Sequence, residues 1–172
     1  MELSVNSTKI KIDFSFILIL CFAVFSGYNK AILILIFSVL HELGHLFVLL
    51  LFGVRPYLIR FSFFGVGIKY ENALSAFKEA VVYLSGPAVN LLFYIFLKDD
   101  VNLFLFVLNI FPVFPLDGGR IMSLIFPKAE KAITAILLVI SFAFSIYLII
   151  NSHSVSLFLV TCYLIIFNLR YL

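Results

Sequence analysis

Apolar residues run along this chain in long blocks broken by short polar intervals. Six blocks can be laid out, at about 12–26, 31–52, 78–97, 101–126, 132–150 and 154–169. A helix needs about 20 apolar residues to cross the hydrocarbon of a bilayer. The middle four blocks meet that length, whereas the first and last are short, with Asp13 and Arg170 placed near the interfaces. Lipid offers no partner to an unpaired backbone N–H or C=O, so helices are the expected form. Between residues 55 and 78 the pattern changes. Arg55 to Tyr70 read RPYLIRFSFFGVGIKY, with β-branched and aromatic residues on either side of Gly65 and Gly67. That predicts a short hairpin lying at or dipping into one membrane face. The expected fold class is an all-α polytopic membrane protein of about six transmembrane helices, with a short membrane-associated β-hairpin between helices 2 and 3.

Composition agrees with the pattern. Of 172 residues, 64% are hydrophobic and 12% charged, against roughly 25% charged in an ordinary soluble domain. No stretch is left for a second, soluble domain. A secretory leader would give way to a polar mature chain; here one apolar block follows another, so the first is expected to remain as an anchor. Cys21 and Cys162 both lie in apolar blocks, where a free thiol behaves as a small hydrophobe. The net charge of +3 is dispersed, without the basic stripe that marks a nucleic-acid surface. Nucleic acid is therefore not an expected partner; the lipid bilayer is.

Basic residues give an orientation. Lys9, Lys11, Arg55, Arg60, Lys69, Lys78, Lys128, Lys131 and Arg170 fall on one side of the six-block layout, and only Lys30 and Lys98 on the other. Under the positive-inside bias, both termini are expected in the cytoplasm.

Within the second block lies HELGH, residues 41–45. Residues four apart share one face of a helix, so His41 and His45 can offer imidazoles to one metal ion while Glu42 reaches a water beside it. Two neutral histidines and a glutamate base are the arrangement of a zinc hydrolase. In the middle of an apolar helix, such residues are costly unless paired, ligated or used. A catalytic zinc normally takes three protein ligands. Ionisable residues are nearly absent from the other blocks, and Asp117 stands out. It belongs to NIFPVFPLDGGR, residues 109–120, where Pro112 and Pro115 remove backbone donors and Gly118 and Gly119 permit unusual dihedrals. That block is expected to be a broken helix, which a membrane tolerates only where protein or water surrounds it. Depth agrees: His45 lies ten residues before Arg55, and Asp117 eleven before Lys128. At 1.5 Å per helical residue each is about 15 Å from the same membrane face.

With those residues in view, the chain resembles the site-2 protease family of intramembrane metalloproteases, and within it the sporulation-type branch that processes a sigma-factor precursor. The features that carry the resemblance are HELGH at 41–45, SGPAVN at 85–90 and the Asn109 to Gly119 stretch ending in LDGG, in order on successive blocks; KIKIDFSFILIL and LFGVR at 51–55 add to it. The resemblance implies zinc held by His41, His45 and Asp117, with Glu42 activating water to cut a transmembrane or membrane-associated protein substrate. It also implies that Asn90 and Asn109 lie near the site, to hold the substrate strand or stabilise the oxyanion. A prokaryotic inner membrane and a regulatory membrane protein partner are further expectations. Neither a PDZ nor a CBS domain is found within these residues, so 1–172 is expected to be a single intramembrane metalloprotease domain. The alternative readings of the chain are a membrane metal-ion transporter and a non-catalytic scaffold that captures membrane clients with the same fold.

Overall fold

The computed structural model describes residues 2–5, 8–25, 27–62, 65–71, 74–153 and 155–169. They form β1 (Glu2–Val5), β2 (Thr8–Ile12), α1 (Phe14–Phe25), α2 (Asn29–Leu51), β3 (Leu58–Ser62), β4 (Gly65–Lys69), α3 (Ala76–Leu97), α4 (Asp100–Ile110), α5 (Asp117–Ile125), α6 (Glu130–Ser152) and α7 (Ser156–Asn168). The chain divides into two compact units, residues 1–108 and 109–172.

Among the described residues, three helices are long and apolar enough to cross a membrane: α2 with 23 residues, α3 with 22 and α6 with 23. Their outward faces are apolar as well. On α6 alone Ile136, Val139, Ile140, Phe144, Tyr147 and Ile150 are all exposed, a surface that suits lipid and not water. Three of the six expected spans, 31–52, 78–97 and 132–150, are thus matched by helices of crossing length among the described residues. Helices α1, α4 and α7 are apolar but have 12, 11 and 13 residues, short of a full crossing. The expected 101–126 segment is two helices, because the chain breaks between α4 and α5 at its prolines.

The hairpin expected after the second helix is present as β3 and β4, and it belongs to a larger sheet. The strand order is β1-β2-β3-β4, antiparallel at both ends and parallel between β2 and β3. Thr8 to Ile12 read TKIKI, polar and β-branched in alternation, which is the period of a half-buried strand. The first block was expected to begin a helix there; the alternation prevails and α1 starts two residues later. Asp13 ties the two parts together, its N–H donating to the Phe61 carbonyl (2.9 Å) and its carboxylate accepting from Arg60 (2.8 Å from Nε, 2.6 Å from Nη2).

Helix α2 ends on a glycine-based cap. Gly53 adopts φ +75°, its N–H donates to the Leu50 carbonyl and that of Val54 to the Leu49 carbonyl. These are the two bonds of a Schellman motif, completed by apolar contact between Val54 and Leu49. That contact belongs to a cluster of Leu49, Val54 and Val82 at one end of the α2–α3 pair. A second cluster, Phe37, Val101 and Leu105, joins α2 to α4. His41 and His45 fall between the two along α2.

In the second unit, residues 111–116 form an irregular segment whose carbonyls are almost fully accounted for. Phe111 O accepts from Val113 N, Val113 O from Leu116 N, and Leu116 O from Arg120 N. Phe114 O accepts from Asn168 Nδ2 on α7 (2.6 Å), and Pro115 O from Arg120 Nε (3.2 Å). Arg120 Nε thus helps to cap this break. The Phe114–Pro115 peptide bond is cis. Val113 is fully buried against Leu138 and Leu164. Gly118 and Gly119 press against this same backbone: a Cβ on Gly118 would collide with the Ile110 and Phe111 carbonyls, and one on Gly119 with Val113 and Phe114. Gly118→Ala should therefore cost about 1–3 kcal/mol or more, read as a lowered thermal midpoint in detergent. Gly67→Ala, where the nearest atom is 4.0 Å away, should leave the midpoint unchanged.

Candidate metal centre

Residues four apart on α2 form one buried stripe, Phe37, His41, His45 and Leu49, and Val82, Gly86 and Asn90 do the same on α3. The stripes face each other and run in opposite directions, since His45 meets Val82 while His41 meets Asn90. Gly44 lets the helices approach. A Cβ there would lie 2.8 Å from Val89 Cγ2 and 2.9 Å from the Ser85 carbonyl, closer than carbon and its neighbours normally come.

The approach turns both imidazoles to one point. His41 Nε2 and His45 Nε2 are 3.1 Å apart, and the rings stand almost perpendicular at 88°. Two nitrogens bound tetrahedrally at about 2.0–2.1 Å would be about 3.3 Å apart, so the pair needs almost no movement to share an ion. Glu42 completes the group: one ligand atom from each of His41, Glu42 and His45 can lie within 4.8 Å of the others. On the outer side, His45 Nδ1 is 2.7 Å from the Val82 carbonyl, with Ser85 Oγ at 3.4 Å. A carbonyl only accepts, so the proton of His45 is on Nδ1 and the lone pair on Nε2. That is the tautomer a metal requires, held by the kind of outer contact common behind ligating histidines.

Gly86 keeps the shared point open. A Cβ on it would fall against His45 Nε2 and Cε1 and against His41 Nε2, which is the space in front of the two ring nitrogens. The donor set and this cradle fit a zinc ion. This role of Gly86 depends on the distance between two helices, which no motif states. Val82 and Ser85 were likewise not singled out, although Val82 stands four residues before Gly86 on the same stripe.

Of the other residues expected at the site, Asn90 is fully buried beside His41. Asp117 and Asn109 belong to the second unit. Asp117 is buried and opens α5, where the partial positive charge of a helix start favours an acidic side chain. Asn109 is partly buried one residue before the end of α4. His153 is exposed just past α6.

A solved structure described as Site-2 Protease from Methanocaldococcus jannaschii superimposes with a TM-score of 0.64 at 24% identity, covering 95% of this chain and 91% of that one. The chain has a site-2 protease fold. Neither a family model nor a curated protein sequence matches it. Within this site-2 protease fold, the His-Glu-His group on α2 is compatible with the HExxH pattern of a metal site.

Gly86→Ala should strip the centre of metal while leaving the helices intact. Metal analysis of the purified variant should find far less than one zinc per chain, with unchanged far-UV dichroism. A variant that retains a full equivalent of zinc would show that the space in front of Gly86 is not the seat.

Proposed function

We propose that this protein is a zinc-dependent intramembrane endopeptidase that hydrolyses a peptide bond in or near a transmembrane segment of a membrane protein. The observation that carries the reading is the convergence of two imidazole Nε2 atoms, 3.1 Å apart and beside Glu42, between helices apolar enough to span a bilayer. The site-2 protease fold supports it.

Zinc, when bound, would acidify a coordinated water and polarise the scissile carbonyl. The rest falls to the chain. His41 and His45 hold the ion, and Asp117 is assigned as the third protein ligand, on its burial and on the scarcity of other ionisable residues in the apolar segments. Glu42 takes a proton from the attacking water as the new C–O bond forms, and delivers it to the amine nitrogen as the C–N bond breaks. Asn109 is assigned to the substrate strand or the oxyanion. A helical substrate hides its peptide bonds in its own hydrogen bonds, so part of it must unwind first. The edge of the β3–β4 hairpin is suited to receive an extended strand by backbone pairing. The setting we propose is a prokaryotic cell membrane, crossed several times with both termini cytoplasmic, where a membrane protein partner regulates the enzyme.

Glu42→Gln should keep zinc and lose about 100- to 10,000-fold of the cleavage rate on a transmembrane reporter in detergent. Undiminished zinc-dependent cleavage by that variant, with contaminating proteases excluded, would remove Glu42 from the chemistry.

Asp117→Ala should lower zinc occupancy and activity together. Unchanged metal content would exclude Asp117 as a ligand. Zinc uptake into proteoliposomes by the wild type, with no cleavage of any membrane peptide, would favour a transporter.

A further inference from the structure

Asn90 Nδ2 lies 3.0 Å from His41 Nδ1, on the side of the ring away from His45. The other half of the amide, Oδ1, is buried without a hydrogen-bond partner among the described residues. Together with the His45 contacts these atoms define a chain of proton positions. If the Asn90 amide donates to His41 Nδ1, the proton of His41 must sit on Nε2, from which it points at the lone pair of His45 Nε2. His45 in turn donates from Nδ1 to the Val82 carbonyl. This chain is internally consistent, yet it covers the His41 lone pair that a metal would need.

Rotating a side-chain amide by 180° exchanges its oxygen and nitrogen in nearly the same volume. Oδ1 then accepts from His41 Nδ1–H, and both Nε2 lone pairs face the open space in front of Gly86. The NH2 group moves to where the unpartnered oxygen was, so the burial of the amide does not by itself choose between the two orientations. What His41 carries on Nε2 chooses. An aspartate at this position would accept only, and a leucine would do neither; an asparagine serves both tautomers.

We infer that Asn90 is a positioning residue that sets the tautomer of His41, turning its amide oxygen toward Nδ1–H when the centre is loaded. The inference rests on the zinc site proposed above and moves Asn90 from contact with substrate to the far side of a ligand. Outer-sphere partners of this kind are worth about 10- to 100-fold in metal affinity.

The test is zinc affinity, measured by chelator competition on the full-length chain in detergent, for wild type, Asn90→Leu and Asn90→Asp. Leucine, close in size, should weaken zinc by about 10- to 100-fold, while aspartate should bind it as tightly as wild type or more so. Thermal midpoints of the zinc-free proteins show whether leucine has harmed folding. Where it has, the aspartate variant decides: a carboxylate that binds zinc more weakly than the amide overturns the assignment. Equal affinity of Asn90→Leu and wild type overturns it too, and leaves the zinc site standing. A wild-type chain that binds no zinc overturns the site itself.

Discussion

A polar group surrounded by hydrocarbon has to find its partner within the protein, and both units are arranged around that requirement. In the first, two imidazoles sit between apolar clusters with their outer nitrogens beside the Val82 carbonyl and the Asn90 amide and their inner nitrogens turned to each other. In the second, the carbonyls exposed by the prolines are taken up by Asn168, by Arg120 and by neighbouring N–H groups. The first case turns two ring nitrogens toward one point. The second uses its donors up and makes an irregular segment rigid.

Glycine supplies the closeness that both solutions need. Gly44 and Gly86 bring α3 against the faces of the histidines, and Gly118 and Gly119 bring the start of α5 under the preceding backbone. Asp117 is thereby fixed from both sides: the irregular segment precedes it and two glycines locked against that segment follow. A carboxylate at the end of such a segment cannot drift along a helix axis as it would on a loose turn.

How much of this was legible in the residues depends on the range of the interaction involved. HELGH states its geometry outright, because two positions four apart on a helix must share a face. The break before Asp117 was equally local, written in Pro112 and Pro115. The sheet was read in half. The β3–β4 hairpin carries its own turn signal, whereas β2 has none: TKIKI runs straight into the apolar block that begins at about residue 12, and its partner β3 lies about 50 residues further on. Helix lengths were less legible for a related reason: apolar runs register burial in lipid or protein alike, and only the helix ends show that α1, α4 and α7 are short. The role of Gly86 could not be seen at all from one strand of text, since it is a distance between α2 and α3.

The parallel pairing of β2 with β3 also carries a consequence for how the molecule is assembled. Lys9 pairs with Leu58 and Ile12 with Phe61, so the pairing closes a loop that contains both α1 and α2. On a chain made from its N-terminus, β2 emerges first and must wait, with one edge open, until the helix bearing the two histidines has been laid down and passed. Strands that pair over such separations are slow to meet. Closure of the sheet thus follows α2, and a protected β2–β3 ladder would mark chains whose histidine-bearing helix is already in position.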